Sequence, residues 1–460
     1  MGFRKPATFA VMCTGMFVVL LDVTIVNVAL PSIGRGTGVT HVADLQWVIG
    51  AYQLTLAGLL LFGGALAERY GHRRILTTGF VIFGLASVAC ALAPGLWTLV
   101  AARAVQGTGA ALLLPATLAV VIRLYTRREE HARAVCAWAV VTSLSLPAGP
   151  VLGGLLVELL GWPWIFWINV PVVVLVVAGT AYLVVESAPE PRPLDVTGAV
   201  LGTAALALVA FTVIETGRLG AWPPVFLLPA ALALAAGIAF VLTERHRAHP
   251  VLPVSLLSRR PIAVSTIVAA GMNFGINGVI ILFSIFLQVV GGHTPIESGL
   301  ALLPLFVPLV LLPAHAARTA ARRGPEPVML AGLVLLVAGF APLLALRADS
   351  GYGALVVGMT LIGAGAGLLT PAIVALAMTA APPAGEGLTS ALNTSARQAG
   401  GVLGVAALGA IAGDPARPAA FVSGVHDAAI VAGAVYLGAA LLTLVTRSET
   451  AGPFTAPRLR

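Results

Sequence analysis

Asp22 stands in the stretch Leu21-Asp22-Val23-Thr24-Ile25-Val26-Asn27-Val28-Ala29-Leu30-Pro31, a carboxylate closely followed by a hydroxyl and an amide in an otherwise apolar run. That run starts near Thr8, so Asp22 lies about fourteen residues into it, near mid-bilayer if the run is a spanning helix. A charge at such depth costs several kcal/mol, which makes it a candidate for function. Arg103 and Gln106, inside a second apolar run, are its natural counterparts. With Gly107 and Ala110 they fall at i, i+3, i+4 and i+7, on one stripe of a helix. A guanidinium beside a buried carboxylate keeps it ionised, whereas a carboxylate that loses its cation in a dry site takes up a proton. The chemistry on offer is therefore proton capture and release, although a static ion pair has the same spacing.

Other polar residues in apolar runs are candidates for a substrate cavity. Asn273 and Asn277 stand at i, i+4, as do Asn393 and Arg397, with Gln398 beside them. Either pair can face a cavity or fasten helices to each other through its amides. Asn27 belongs with them, and Glu215 is a candidate proton or substrate carboxylate. Embedded carboxylates are few, which argues against dicationic substrates. Ser145, Gly149 and Gly153 recur at i, i+4 and i+8, with Pro150 and Gly154 alongside, a smooth face that allows close helix contact and a bend. Around Gly64 and Gly71, the charges Glu68, Arg69, Arg73 and Arg74 can latch a helix end or simply fix orientation. Cys13, Cys90 and Cys136 have no metal-ligand spacing, so neither a metal nor a disulfide is expected. No nucleophile motif points to an enzyme.

The elements that position these residues follow from composition. The chain has 460 residues, 59% of them hydrophobic and 10% charged, against about 25% charged in soluble proteins. Its net charge of +8 is scattered and forms no nucleic-acid patch. Lys5 is the single lysine and follows no glycine loop, so a Walker A motif, and with it an ATP-driven pump built from this chain alone, is excluded. No cofactor is expected. The first apolar run reads as a retained helix rather than a cleaved signal.

Fourteen apolar runs are long enough to span a bilayer: 8–30, 46–67, 75–94, 96–121, 134–160, 164–185, 196–216, 222–242, 263–290, 299–316, 328–347, 353–378, 388–412 and 425–446. With the N-terminus inside, twenty of the 26 Lys and Arg fall in cytoplasmic segments and four outside, Arg103 and Arg397 being within runs. That bias predicts cytoplasmic N- and C-termini.

An internal repeat organises the runs. Gly107-Thr108-Gly109-Ala110-Ala111-Leu112-Leu113-Leu114-Pro115-Ala116 aligns with Gly363-Ala364-Gly365-Ala366-Gly367-Leu368-Leu369-Thr370-Pro371-Ala372. Arg69-Tyr70-Gly71 with Gly79 matches Arg322-Arg323-Gly324 with Gly332, and Gly149-Pro150-Val151-Leu152-Gly153 matches Gly400-Gly401-Val402-Leu403-Gly404. The offsets, 256, 253 and 251, are nearly equal. The expected organisation is a six-helix bundle over 1–190, two inserted helices in 191–250, and a second six-helix bundle with a short tail over 251–460. Parallel repeats of this kind build a central site with alternating access. Shared positions are glycines and prolines, whereas Arg103 and Gln106 pair with Met359 and Ile362, and Arg397 and Gln398 with Leu146 and Pro147. Polar residues found in one repeat only are the better candidates for chemistry.

Four stretches resemble the major facilitator superfamily, specifically its fourteen-helix drug:proton antiporters. They are the Leu21–Pro31 stretch; Leu99-Val100-Ala101-Ala102-Arg103-Ala104-Val105-Gln106-Gly107-Thr108-Gly109, like the proton-coupling motif; Ser145 to Gly154, like the antiporter motif; and Gly64 to Arg74, like the gating loop. Ser145 replaces a glycine of the pattern, Glu68 an aspartate, and Pro163 an arginine between two tryptophans. The resemblance implies an all-α membrane protein of the major facilitator fold, in the bacterial cytoplasmic membrane. It implies a monomer that exports amphipathic small molecules, antibiotics among them, in exchange for protons. Asp22 would carry the proton under control of Arg103 and Gln106. Gly149, Pro150, Gly153 and Gly154 would favour antiport. An uptake symporter or an exporter of one metabolite would share the fold, and a non-transporting membrane protein is the reading from another class.

Overall fold

A computed structural model of the chain describes residues 4–39, 42–125, 127–188, 194–219, 226–247, 252, 254–382 and 385–450. Among them the regular structure is helical. The spanning helices are α1 (Arg4–Thr37), α2 (Val42–Tyr70), α3 (His72–Ala91), α4 (Leu96–Leu124), α5 (Arg128–Leu160), α6 (Trp164–Leu183) and α7 (Val196–Leu219). They continue with α8 (Leu227–His246), α9 (Arg260–Val290), α10 (Pro295–Arg323), α11 (Pro325–Ala345), α12 (Gly353–Thr379), α13 (Glu386–Ala412) and α14 (Pro418–Thr450). Thirteen are long and apolar enough to cross a membrane by composition alone. The exception is α13, whose apolar character is diluted by Asn393, Arg397 and Gln398 in its interior. It packs within the bundle against α2, α7, α9, α12 and α14.

Prolines and glycines shape the helices. α10 is broken ahead of Leu303 and again ahead of Pro313, next to Pro304 and Pro313, which lack the amide hydrogen the helix needs. α9 finishes in a π turn over Phe286–Val290. Gly71 and Gly324, equivalent in the repeat, both cap the following helix with positive φ, 96° and 85°. A side chain is strained there, so the sharp reversal between α2 and α3, and between α10 and α11, calls for glycine.

The repeat is visible in the packing. Among the first six helices the main pairings are α1 with α5 and α6, α2 with α4, and α3 with α4 and α6; among the last six, α9 pairs with α13 and α14, α10 with α12, and α11 with α12 and α14. Glycines make these crossings close. A methyl on Gly107 would overlap the Tyr52 carbonyl, and one on the equivalent Gly363 the Leu305 carbonyl. Gly149 and Gly153 lie against Thr24 and Ile25 of α1, as Gly400 and Gly404 lie against the backbone of Ala270 and Phe274 of α9. Without a hydrophobic drive between helices in lipid, such backbone approach is what holds them together.

The two sets of six meet along α2–α13 and α5–α10, and α7 packs on α2, α13 and α8. They are fused at the end where α1 finishes and α2 begins. There Ser284 donates to the Asn27 carbonyl at 2.8 Å and Gln288 to the Val28 carbonyl at 2.9 Å. Gly154 sits on the backbone of Pro295 and Ile296, and Gly299 on that of Pro150. One apolar cluster runs through both sets at that end, taking in Ile25, Val28, Ile33, Ile281 and Phe286. Toward the opposite, arginine-rich end, Met12, Met16, Tyr52, Leu56, Leu113 and Val121 form a cluster of first-set residues alone. The helices thus converge at one end and part toward the other.

Candidate functional site

Asp22 lies in the middle of α1 and is fully buried. Its Oδ2 accepts a hydrogen bond and ion pair from Arg103 Nη1. Its Oδ1 accepts from Gln106 Nε2 and from Asn169 Nδ2, each at 2.9 Å. Arg103 is tied down in turn: Nε donates to the Val48 carbonyl at 3.0 Å and Nη1 to Gln106 Oε1 at 2.6 Å. Its guanidinium lies over the Tyr52 ring, 4.3 Å from the centroid, and near the Phe166 ring. Ser87 receives Gln106 Nε2 at 2.9 Å and Asn169 Nδ2 at 3.3 Å, and donates to the Phe83 carbonyl. The site therefore draws on α1, α2, α3, α4 and α6.

Local register explains the assembly. Arg103 and Gln106 are one turn apart on α4, so one helix face presents both to Asp22. Ser87 is near the end of α3 and Asn169 near the start of α6, and both helices pack on the α1–α4 pair. Charge-assisted bonds of this kind are roughly twice as strong as neutral ones. Removing one member of a buried ion pair costs about 3–5 kcal/mol, because the other is left without compensation. The cluster keeps the Asp22 carboxylate buried and paired by partners that sit on several helices.

The expected residues divide. The structure brings Asp22, Arg103 and Gln106 into contact. Asn27 does not line the interior space: it is buried at the fused end, with its amide nitrogen turned to the Val23 and Thr24 carbonyls of its own helix. Asn393 is likewise buried and donates to the Ser265 carbonyl on α9, fastening two helices. Glu215 stands on α7, a helix packed on the outside of the α2–α13 seam. Asn273, Asn277, Arg397 and Gln398 are all partly exposed at the depth of the membrane interior.

The loop at the arginine-rich end works within the first set. Arg73 and Arg74 both face Glu186, at 3.7 and 3.8 Å, and Glu186 Oε1 accepts the Arg73 backbone N–H at 3.0 Å. A Cβ on Gly71 would overlap that carboxylate. His72 is held by Ser187, whose hydroxyl accepts its backbone N–H at 3.0 Å. Glu186 therefore caps α3 from the segment after α6, and the latch spans α3 and α6. Gly64 rests on Pro115 of α4, and Arg69 lies over the ring of Tyr70. Of the antiporter-motif residues, Gly149 and Gly153 face α1, while Pro150 and Gly154 face α10.

Sequence reasoning missed Asn169, Ser87, Tyr52 and Glu186. Asn169 had a usable signal, an amide at the start of an apolar run; Ser87 and Tyr52 had none, since both types are common in membrane helices. Apart from this network, an apolar groove of about 710 Å³ lies between α7 and α8, lined by Val209, Val213, Ala233, Leu234, Ile238 and Leu242.

Comparison with known proteins supplies the family context. The model of the Major Facilitator Superfamily matches residues 12–405 and 306–457. The chain is 35% identical to the multidrug resistance protein Stp of Mycobacterium tuberculosis (strain CDC 1551 / Oshkosh), over 86% of this chain and 74% of the relative. It is 34% identical to the puromycin resistance protein pur8 of Streptomyces alboniger, over 96% and 90% of the two chains. Among solved structures, an auto-inhibited POT family peptide transporter superposes with a TM-score of 0.68 at 17% identity, covering 99% of this chain and 98% of that one. At such low identity the superposition speaks to the fold alone.

Proposed function

The chain belongs to the major facilitator superfamily, and on that premise we propose that it exports amphipathic small molecules across a bacterial cytoplasmic membrane in exchange for protons. Its multidrug- and antibiotic-resistance relatives support the direction of transport and the breadth of substrate. The observation that carries the proton step is the buried network in which Arg103, Gln106 and Asn169 all serve one carboxylate, Asp22. In this reading Asp22 exchanges its proton when a helix movement draws Arg103 away and breaks that pairing.

The arginine-rich end faces the cytoplasm on the positive-inside rule, with both termini on that side. The fused end then faces outward, and the interior between the two sets opens inward, ready to receive substrate. Exchange proceeds by alternating access: the α5–α10 and α1–α9 contacts part on the outer side, protons reach Asp22, and substrate leaves. The proton gradient supplies the energy, with no ATP and no cofactor, and one chain suffices.

The test is transport in inside-out vesicles under an imposed pH gradient. Wild-type protein drives drug accumulation, and Asp22→Asn loses it while keeping drug binding. Full gradient-driven transport by Asp22→Asn overturns the role of Asp22, and wild-type transport indifferent to the gradient overturns antiport.

A further inference from the structure

Arg397 is the second cation in the membrane interior, and its surroundings differ from those of Arg103. Among the described residues, no hydrogen-bond or ion-pair partner takes its guanidinium. It stands midway along α13, a helix packed by α2, α7, α9, α12 and α14, and is partly exposed. A bare cation at this depth is costly unless water or an anion meets it.

Two further observations describe what would meet it. Gly401, one turn along the same face of α13, carries no side chain, and a Cβ there would overlap the Asn277 amide nitrogen and lie 3.6 Å from Gln53 Oε1. Gln53 is 5% exposed, and its Oε1 has no hydrogen-bond partner. Asn273 is one turn from Asn277 on α9, as Arg397 is from Gly401 on α13, in both cases toward the arginine-rich end. Asn277 and the unsatisfied Gln53 acceptor thus meet beside Gly401, and Asn273 and Arg397 stand one turn away on the same two helices. No carboxylate is among them.

We propose that Arg397, with Asn273, Asn277 and Gln53, forms the polar recognition site for an amphipathic organic anion, Arg397 binding its carboxylate, sulfonate or phosphate and Gln53 Oε1 accepting a hydroxyl or amine hydrogen. This rests on the transporter reading above and names the substrate class of its cavity. The guanidinium fork can pair two oxygens of a carboxylate, sulfonate or phosphate, and a charge-assisted bond made in a dry site favours such anions over uncharged analogues. An anionic substrate also makes physical sense of export: an inside-negative potential pushes it outward, so voltage and proton gradient act in the same direction.

The test uses the full-length protein in detergent and a matched probe pair, anilinonaphthalene sulfonate and its uncharged parent phenylnaphthylamine, with ethidium as a cation. Wild type is expected to bind the sulfonate about tenfold tighter than the parent, Arg397→Gln to lose that difference while still binding the parent, and Arg397→Lys to keep most of it. Asn273→Asp, which sets a carboxylate one turn from Asn277 on the face toward Arg397, is expected to weaken the sulfonate and strengthen ethidium. Equal wild-type affinity for sulfonate and parent overturns the proposal, as does Arg397→Gln that keeps the preference. If Arg397→Gln does not fold, the wild-type comparison and Asn273→Asp still decide. Binding selectivity is measured without a gradient. Anion preference with no pH-driven flux would therefore sink antiport and leave the site standing, and the converse result would sink only the site.

Discussion

Asn169 donates its side-chain amide to Asp22 Oδ1 at 2.9 Å, joining the start of α6 to the middle of α1 on the same oxygen that Gln106 serves. A bond to a charged group contributes about 1.5–3 kcal/mol. Asn169→Leu is therefore expected to lower thermal stability and to cut gradient-driven efflux several-fold, with Asn169→Gln intermediate. Vesicle transport at fixed pH gradient checks this. Unchanged efflux in Asn169→Leu would reduce Asn169 to a bystander.

The Asp22–Arg103 pair should show strong coupling. Asp22→Leu and Arg103→Leu each leave one buried charge without its partner, at a cost of about 3–5 kcal/mol. The double variant removes both charges and should lose less than the sum of the two singles. Denaturant unfolding in detergent micelles provides the cycle. Additive losses would mean that the two residues stabilise the fold independently.

Closure of the fused end should depend on bare glycine. Gly154→Val would push against the backbone of Pro295 and Ile296, and the helices should part there. Val28 is fully buried at this end, so in a Cys136→Ser background Val28→Cys should resist an impermeant maleimide. Adding Gly154→Val should make it react. Equal protection in both proteins would show that this contact does not govern closure.

Glu186 does two jobs that substitution can separate. It caps α3 by accepting the Arg73 backbone N–H and pairs with the exposed Arg73 and Arg74 side chains. Exposed pairs contribute little, about 0–1 kcal/mol, whereas loss of a cap costs about 1 kcal/mol. Glu186→Gln should stay near wild type in melting temperature and Glu186→Ala should fall by about 2 °C. Equal losses would assign the stabilisation to charge.

Much of this molecule is legible without coordinates, for a physical reason. Lipid forces each span to satisfy its own backbone, so apolar length alone announces a helix, and the positive-inside bias orders the spans. The repeat is legible because the close crossings need glycine at fixed positions: Gly107 and Gly363, and Gly149 and Gly400, meet backbone in the equivalent places. Asp22, Arg103 and Gln106 stand out because polar side chains at membrane depth are expensive and two of them share a helix face.

Which polar residues meet was decided only in three dimensions. Helical spacing is local, and it says nothing of which helix lies alongside. Asn27 and Asn393 look like cavity residues in the sequence, yet one turns onto its own helix and the other ties α13 to α9. Ser87 and Glu186 look ordinary and Asn169 is an amide at the start of an apolar run, yet the packing of α3 and α6 on the α1–α4 pair brings Asn169 to Asp22 and Ser87 to Gln106 and Asn169, and the chain leaving α6 carries Glu186 to the start of α3. The sequence by itself determined a fourteen-run membrane chain built on a repeat, with a carboxylate that had to be neutralised. The tertiary structure decided that five helices share that task, and that Arg397 was left with no partner among the described residues.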